Sequence, residues 1–296
     1  MKIEKSGLLV VDKPTGMTSF DVVRDVRRLA EMRKVGHTGT LDPDATGVLP
    51  VALGRCTKLS KFLTLDRKEY AFTLRLGEET DTGDASGEIV RKAPWETIGR
   101  ADLEAVLPQF TGEIQQVPPI YSAIKVDGKR AYELARAGKD VELEARPVVV
   151  RRLEVVDWSP PEIALEVECG PGTYVRSLAR DIGAALESAG HTTRIRRLAV
   201  GPFSIDDSVS LDDLNVENFW EHVTSPLKMV QSLKNYELND REVVDVGHGR
   251  PLAVDGPWEL EEAIAAHDGE GRLIAVMEWR EKKDDRPRLW PRRVMI

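Results

Sequence analysis

The chain has 296 residues, 41% apolar and 31% charged, with a net charge of −8. That length predicts two domains, or one large domain with an appendage, and ample apolar material for a core. No apolar run approaches the ~20 residues of a membrane helix, and the run 8–11 is shorter than a signal-peptide core of about 7–15 residues, so a cytoplasmic protein is expected.

Residues 7–12 (GLLVVD) predict a short buried strand closed by Lys13-Pro14. Thr18 or Ser19 is suited to cap a helix running to about Lys34, with Val22, Val23, Val26, Leu29 and Ala30 on its apolar face. Residues 34–50, KVGHTGTLDPDATGVLP, hold too much Gly and Pro for either period and predict a loop. Residues 48–63 predict a buried element, helical in its second half. Tyr70, Phe72, Leu74 and Leu76 alternate with Ala71, Thr73 and Arg75, the pattern of a half-buried strand. The acidic turn-rich loop 78–88 (EETDTGDASGE) lacks the residue order of an EF-hand calcium site. Residues 100–110 predict a helix, 163–169 a strand, and Gly170-Pro171-Gly172 a turn. Val175, Leu178, Ile182 and Leu186 recur at helical spacing, and 194–203 reads as a basic and apolar strand. Residues 211–220 predict one more helix. From about Met229, turn pairs and short runs such as 272–279 and 289–296 predict a small β-rich second domain, with the charged run 280–288 as a hairpin or loop.

Net negative charge argues against a nucleic-acid partner, but a partner meets only the local field. Two stretches run against the average. Residues 121–152 hold Lys125, Lys129, Arg130, Arg136, Lys139, Arg146, Arg151 and Arg152, and residues 191–200 hold Arg194, Arg196 and Arg197 with no acid. Cys56 and Cys169 form no disulfide framework, and the five histidines have neither i, i+4 pairs nor cysteine neighbours, so no metal is expected.

A polar glycine-rich loop between core-forming segments is where chemistry commonly sits. Asp42 within it admits two readings. Followed by Pro43, it has the form of a helix cap; surrounded by Gly, His and Thr, it has the form of a working carboxylate. KVGHTGTLDPDATGVLPVALG resembles the signature of the TruB family of pseudouridine synthases, bacterial enzymes that isomerise uridine 55 in the T-loop of tRNA. Four further kinds of stretch follow the family's order: LVVDKPTGMTS (9–19), Tyr70 with RLG (75–77) and TDTGDASG (80–87), QQVPPIYSAIK (115–125) with GTYVR (172–176), and RIRRLAVGPF (194–203). The resemblance covers roughly residues 5–210 and continues more weakly beyond.

The resemblance implies an α+β protein: a pseudouridine-synthase fold with a mixed, largely antiparallel central sheet flanked by helices, plus a small β-rich PUA-like C-terminal domain. It implies a catalytic domain over 1–228, with 118–150 as a mobile RNA-clasping insertion, and the PUA-like domain over 229–296. Asp42 would be the nucleophile, attacking C1′ of the ribose or C6 of the base, or supporting elimination. Tyr70 would stack on the base and take part in removing the C5 proton; its ordinary pKa near 10 favours the stacking role. Arg176 would hold Asp42 ionised and oriented, and Asp84 would complete that network. A Tyr174–Arg176 spacing of two implies a strand-like or irregular lead-in before the helix. Tyr174 and Ile195 would line the uridine pocket, with isoleucine where the family usually has leucine. His37 would refill the stack left by the flipped nucleotide, and Lys13 and Thr40 would lie against the substrate. Lys125, Lys129, Arg130, Arg136, Arg194, Arg196 and Arg197 are the candidates for the RNA backbone. No cofactor, no membrane and no obligatory protein partner is implied; the partner is tRNA, by its T-loop and stem and through the C-terminal domain its acceptor stem, and a monomer is expected. Two other readings are a tRNA-binding or folding protein with catalysis secondary, and an RNA-guided relative acting on ribosomal RNA.

Overall fold

The computed structural model describes residues 5–122, 124–126, 128–137, 142–254, 256–281 and 287–296. The expected loop or hairpin at 280–288 and Lys139 of the basic cluster lie largely or wholly outside these residues.

The strand Gly7–Lys13 shows why the first apolar run carries no alternation. It pairs antiparallel with Thr46–Leu53, Leu9 opposite Val51, and both its faces are covered. Leu9 and Val11 join one core, while Leu8 and Val10 join another. A strand buried on both sides must be apolar throughout. The expected loop at 34–50 is therefore shorter than its composition suggests, because Val35–His37 and Thr46–Leu53 are strands paired with each other.

The main sheet is mixed and largely antiparallel. Its strand order is Val209–Ser210, Gly7–Lys13, Thr46–Leu53, Gly190–Val200, Lys68–Leu76, Glu162–Cys169, Arg146–Ser159, Gly112–Gln116. Helices Ser19–Leu29, Arg100–Val106 and Val175–Ala185 supply apolar residues to its first core, through Val22, Val23 and Val26, Leu103, and Leu178 and Ile182. The first helix has the expected cap. The Thr18 hydroxyl accepts from the Asp21 amide, and Asp21 accepts from the Thr18 amide. It ends at Leu29 rather than Lys34.

Two expectations are corrected here. Residues 211–220 form two short 3-10 turns, Leu211–Asp213 and Phe219–Glu221, instead of a helix. Asn215 accepts from the Glu217 and Asn218 amides and Asn218 accepts from the Asn215 amide, so side chains take the donors a helix would use. Residues 48–63 follow the expectation of a helical second half: the strand ends at Leu53, and the 3-10 helix Gly54–Leu59 leads into the α-helix Ser60–Thr64. Asp42 caps no helix, since the chain passes from it into strand Thr46–Leu53.

A second sheet, Lys234–Leu238, Ala263–Asp268, Leu273–Arg280, Arg288–Val294, forms the β-rich C-terminal unit. It has its own core around Ile264, Ile274 and Met277. Its other apolar side chains, Ala265, Leu273, Val276 and Met295, share a cluster with Leu8, Val10, Val48 and Cys56 of the main sheet.

Candidate active site

Asp42 is fixed through both of its neighbours. Leu41 exchanges two hydrogen bonds with the buried hydroxyl of Ser19, its amide donating at 2.8 Å and its carbonyl accepting at 3.1 Å. The carbonyl of Pro43 accepts from the Gly16 amide at 3.0 Å and from Lys13 Nζ at 2.9 Å. Pro43 thus serves as an acceptor in a clamp. Its carboxylate is left to face the Arg176 guanidinium, with Nε 3.0 Å from Oδ2 and Nη2 donating to Oδ1 at 3.3 Å.

Arg176 is 5% exposed. It sits in the first turn of helix Val175–Ala185, with Tyr174 in the extended cap position just before it. The expected irregular lead-in therefore ends at Tyr174, two residues earlier than the spacing implied. Two residues two apart need not share a face when one stands outside the helix. Nη1 donates to the Thr82 carbonyl at 2.8 Å and lies 3.6 Å from Asp84 Oδ2, and Nη2 donates to the Tyr121 carbonyl at 2.9 Å. A guanidinium has five N–H donors, and here each has an acceptor or a carboxylate before it. Asp84 is held by the Thr82 hydroxyl at 2.7 Å and the Ser86 amide at 3.0 Å. The acidic loop thereby closes around the ion pair. Among the described residues no cluster of His, Cys, Asp and Glu is placed to hold a metal.

Burial pushes the Asp42 carboxyl above its usual 3.8, and the Arg176 charge pulls it back. The side chain remains 41% exposed toward a cleft of about 590 Å³. Asp42, Asp84, Ile195, Arg194 and Arg196 all line this cleft, with Thr73, Ala164 and Glu166 along its sheet wall. A larger groove of about 780 Å³, beside Leu107 and Leu153, includes none of these residues.

Tyr70, Tyr174, His37 and Thr40 are not among the described residues that line the cleft. Tyr70 is 9% exposed, and burial raises its phenol pKa, with the Arg197 charge opposing. Tyr174 is positioned by Gln116, whose side-chain amide accepts from its N–H at 2.8 Å and donates to its carbonyl at 3.1 Å; the Arg146 guanidinium lies 5.2 Å from its ring centroid. His37 ends the short strand Val35–His37, half-buried, and burial lowers its pKa, with Arg197 acting in the same sense. Thr40 is exposed.

Two expected contacts are corrected. Lys13 is fully buried, and its Nζ donates to the carbonyls of Pro14 and Pro43, so it holds the loop and does not face a ligand. Desolvation brings its pKa down to about 8, opposed by Asp44 and Asp42. Arg197, expected at the RNA backbone, is 1% exposed and cannot meet a phosphate. Arg196 is half-buried and held by Asp12 at 2.7 and 3.1 Å; Arg194 and Lys129 are exposed. The side chains of Lys125, Arg130 and Arg136 lie outside the described parts. Gln116, Ser19 and the Tyr121 carbonyl were not singled out as site groups by sequence. Gln116 and Tyr121 stand within QQVPPIYSAIK and Ser19 closes LVVDKPTGMTS, so membership in those stretches is the only signal.

Residues 27–175 match the model of the TruB family pseudouridylate synthase N-terminal domain, and residues 176–234 match that of the tRNA pseudouridylate synthase B C-terminal domain. A protein named tRNA pseudouridine synthase B from Mycobacteroides abscessus is 44% identical over 284 residues, 93% of each chain. One of the same name from Hydrogenovibrio crunogenus is 39% identical over 279 residues, 94% of this chain and 90% of that one. Among solved structures, a chain of a Cbf5-Nop10-Gar1 complex superposes with a TM-score of 0.76 at 27% identity, covering 97% of this chain and 84% of that one. A chain of an H/ACA RNP bound to a substrate RNA containing 2′-deoxyuridine gives 0.75 at 25% identity, with coverages of 98% and 85%.

Proposed function

The chain belongs to the TruB family of pseudouridylate synthases, and from that membership we propose that it isomerises uridine 55 in the T-loop of tRNA to pseudouridine, with Asp42 as nucleophile. The observation that carries the proposal is the Asp42–Arg176 pair, side-on and open to the cleft on its free edge. A carboxylate is a nucleophile without prior deprotonation once it is ionised, and the guanidinium favours that ionised form. The reaction breaks N1–C1′ and makes C5–C1′; the uracil loses a proton at C5 and gains one at N1, so no cofactor or co-reactant is needed for balance. A base inside folded RNA must be extruded first, at a cost of about a few kcal/mol.

In this reading the cleft takes the flipped uracil. Ile195 and Thr73 bound it, Asp84 and Arg176 orient the carboxylate, and Tyr70 and Tyr174, which do not line the cleft here, would have to approach the base once RNA is bound to stack on it. Residues 118–150 act as the clasp over the RNA, and residues 229–296 are the unit directed to the acceptor stem. Single-stranded and looped RNA is read by shape and splayed bases, with phosphates supplying affinity; exposed Arg194 at the cleft is the first candidate for such a phosphate.

The test is an unmodified tRNA transcript and the purified protein alone, scored for pseudouridine by position. Wild type should modify position 55, and Asp42→Asn should lose the activity while keeping tRNA affinity. Near-normal turnover by Asp42→Asn would refute the nucleophile. The superposition on a chain of an H/ACA RNP favours a second reading, an RNA-guided enzyme. Activity without guide RNA excludes it, and a dead wild type in this assay would favour it.

A further inference from the structure

Arg197 is a buried cation whose hydrogen bonds run to backbone carbonyls. Its Nε donates to Val48 at 2.7 Å, Nη2 to Gly39 at 3.2 Å and Nη1 to Thr40 at 3.4 Å. Among the described residues it makes no ion pair with a carboxylate. A desolvated charge is costly and is retained where its hydrogen bonds organise something. Its three acceptors span the glycine-rich loop and the strand that follows it, so one side chain ties the loop's entry to its exit.

Two glycines of that loop pack against the same residue. A Cβ on Gly47 would lie 2.2 Å from the Arg197 carbonyl oxygen, and Gly47 has a φ of +101°, so no other residue fits there without displacement. A Cβ on Gly39 would meet Arg197 Nη1 at 3.6 Å. The strand supplying Arg197 is fixed as well. Arg197 stands directly opposite Tyr70 across the pair Gly190–Val200 and Lys68–Leu76, so the two side chains leave the same face of the sheet, and the Arg197 charge bears on the buried phenol. The cation therefore holds the segment two residues before Asp42 while standing opposite Tyr70 on the neighbouring strand.

We propose that Arg197 is the positioning residue that sets Tyr70 and the Asp42 loop relative to one another, a role inside the protein and not at the RNA backbone. The inference rests on the reading of Asp42 and Tyr70 as working groups at the uridine. Arg197 itself touches no substrate; it acts through the two groups it joins. A lysine keeps the charge but, as a single ammonium on a flexible stem, cannot span three carbonyls in a fixed plane opposite Tyr70.

The experiment compares wild type, Arg197→Lys, Tyr70→Phe and the double variant, each with full-length unmodified tRNA. Single-turnover rate and tRNA Kd are measured separately. Misplacement by about 1 Å costs about 100-fold in rate, so Arg197→Lys should lose about that much with Kd within about two-fold of wild type. Tyr70→Phe should also slow the step, and its effect should shrink in the Arg197→Lys background, because both variants cut the same link. A rate within about two-fold of wild type for Arg197→Lys, a Kd that rises in step with the lost rate, or strictly additive losses would each overturn the proposal. Should Arg197→Lys not fold, amide exchange in Tyr70→Phe decides: faster exchange at Thr40 and Asp42 supports the link, and unchanged exchange overturns it. Inactive wild type on this RNA would instead refute the functional reading, which keeps the two failures apart.

Discussion

Arg176 spends every donor it has, and this makes it the least replaceable side chain of the site. Arg176→Lys would leave the carboxylate of Asp42 without its side-on pair and the carbonyls of Thr82 and Tyr121 competing for one ammonium. The single-turnover rate should drop by about 100-fold or more, with tRNA Kd little altered, in a side-by-side rate and filter-binding measurement. The protonation of Asp42 has a direction too. Its carboxyl is pushed above 3.8 by burial, and in the proposed mechanism only the ionised form attacks. Activity should be complete well above that raised value and fall as pH drops through it, so the acid limb of kcat/KM should have its midpoint above 3.8; a midpoint at or below 3.8 would contradict the stated environment. The same shift fixes a stability sign. A folded-state carboxyl raised above its unfolded value penalises the fold at pH values where it is ionised. Asp42→Asn should accordingly melt at pH 7 no lower than wild type, the behaviour of a residue kept for chemistry at a cost in stability.

At the scale of elements, alternation was legible wherever one face of a strand is solvated or half-covered. Tyr70 to Leu76 follow the expected in-and-out order residue by residue. The first helix was legible from its cap and apolar face. Two things were not. The strands on either side of the glycine-rich loop are held by pairing with each other and, for Thr46–Leu53, with Gly7–Lys13 and Gly190–Val200, so their own composition says little. Arg197 looked like surface charge because its neighbours Arg194 and Arg196 are. Strict alternation from Arg196 already puts it on the other face, and the two glycines it packs against are visible only once strand Gly190–Val200 is laid beside Thr46–Leu53. The tie between helix Ser19–Leu29 and Leu41 belongs to this level as well. Ser19→Ala would leave both a buried amide and a buried carbonyl of Leu41 without partners, costing about 1–3 kcal/mol. Chemical denaturation should show that loss as a lower midpoint at unchanged slope; a change under about 0.5 kcal/mol would mean that water replaces the hydroxyl.

At the scale of the whole molecule, turns with short strands beyond 229 made the β-rich C-terminal unit legible, whereas the fold class was reached through the family resemblance. The sharing of one apolar cluster between the two sheets was not legible, since Leu8, Val10 and Val48 carry no mark saying which face meets which partner. Cys56 is a convenient reporter of that cluster. It is fully buried, and its thiol is pushed up to about 12 by burial. It should resist thiol reagents in the native protein and become labelled in the same denaturant range in which the C-terminal sheet loses its signal. Labelling of Cys56 while the main sheet remains folded would show that the C-terminal unit separates on its own.

The common cluster also bears on the entropy of association. Two units on a swinging tether must surrender the freedom of their joint whenever both grip one long ligand, and that loss is subtracted from affinity. Here Met229, Val230, Leu273 and Met295 pack into one buried cluster with Leu8, Val10 and Val48, an arrangement that opposes such swinging before any ligand arrives. If tRNA touches both units, as proposed above, it would meet a template of fixed span, and one whose stem is too long or too short would be refused by geometry, without any contact to a base.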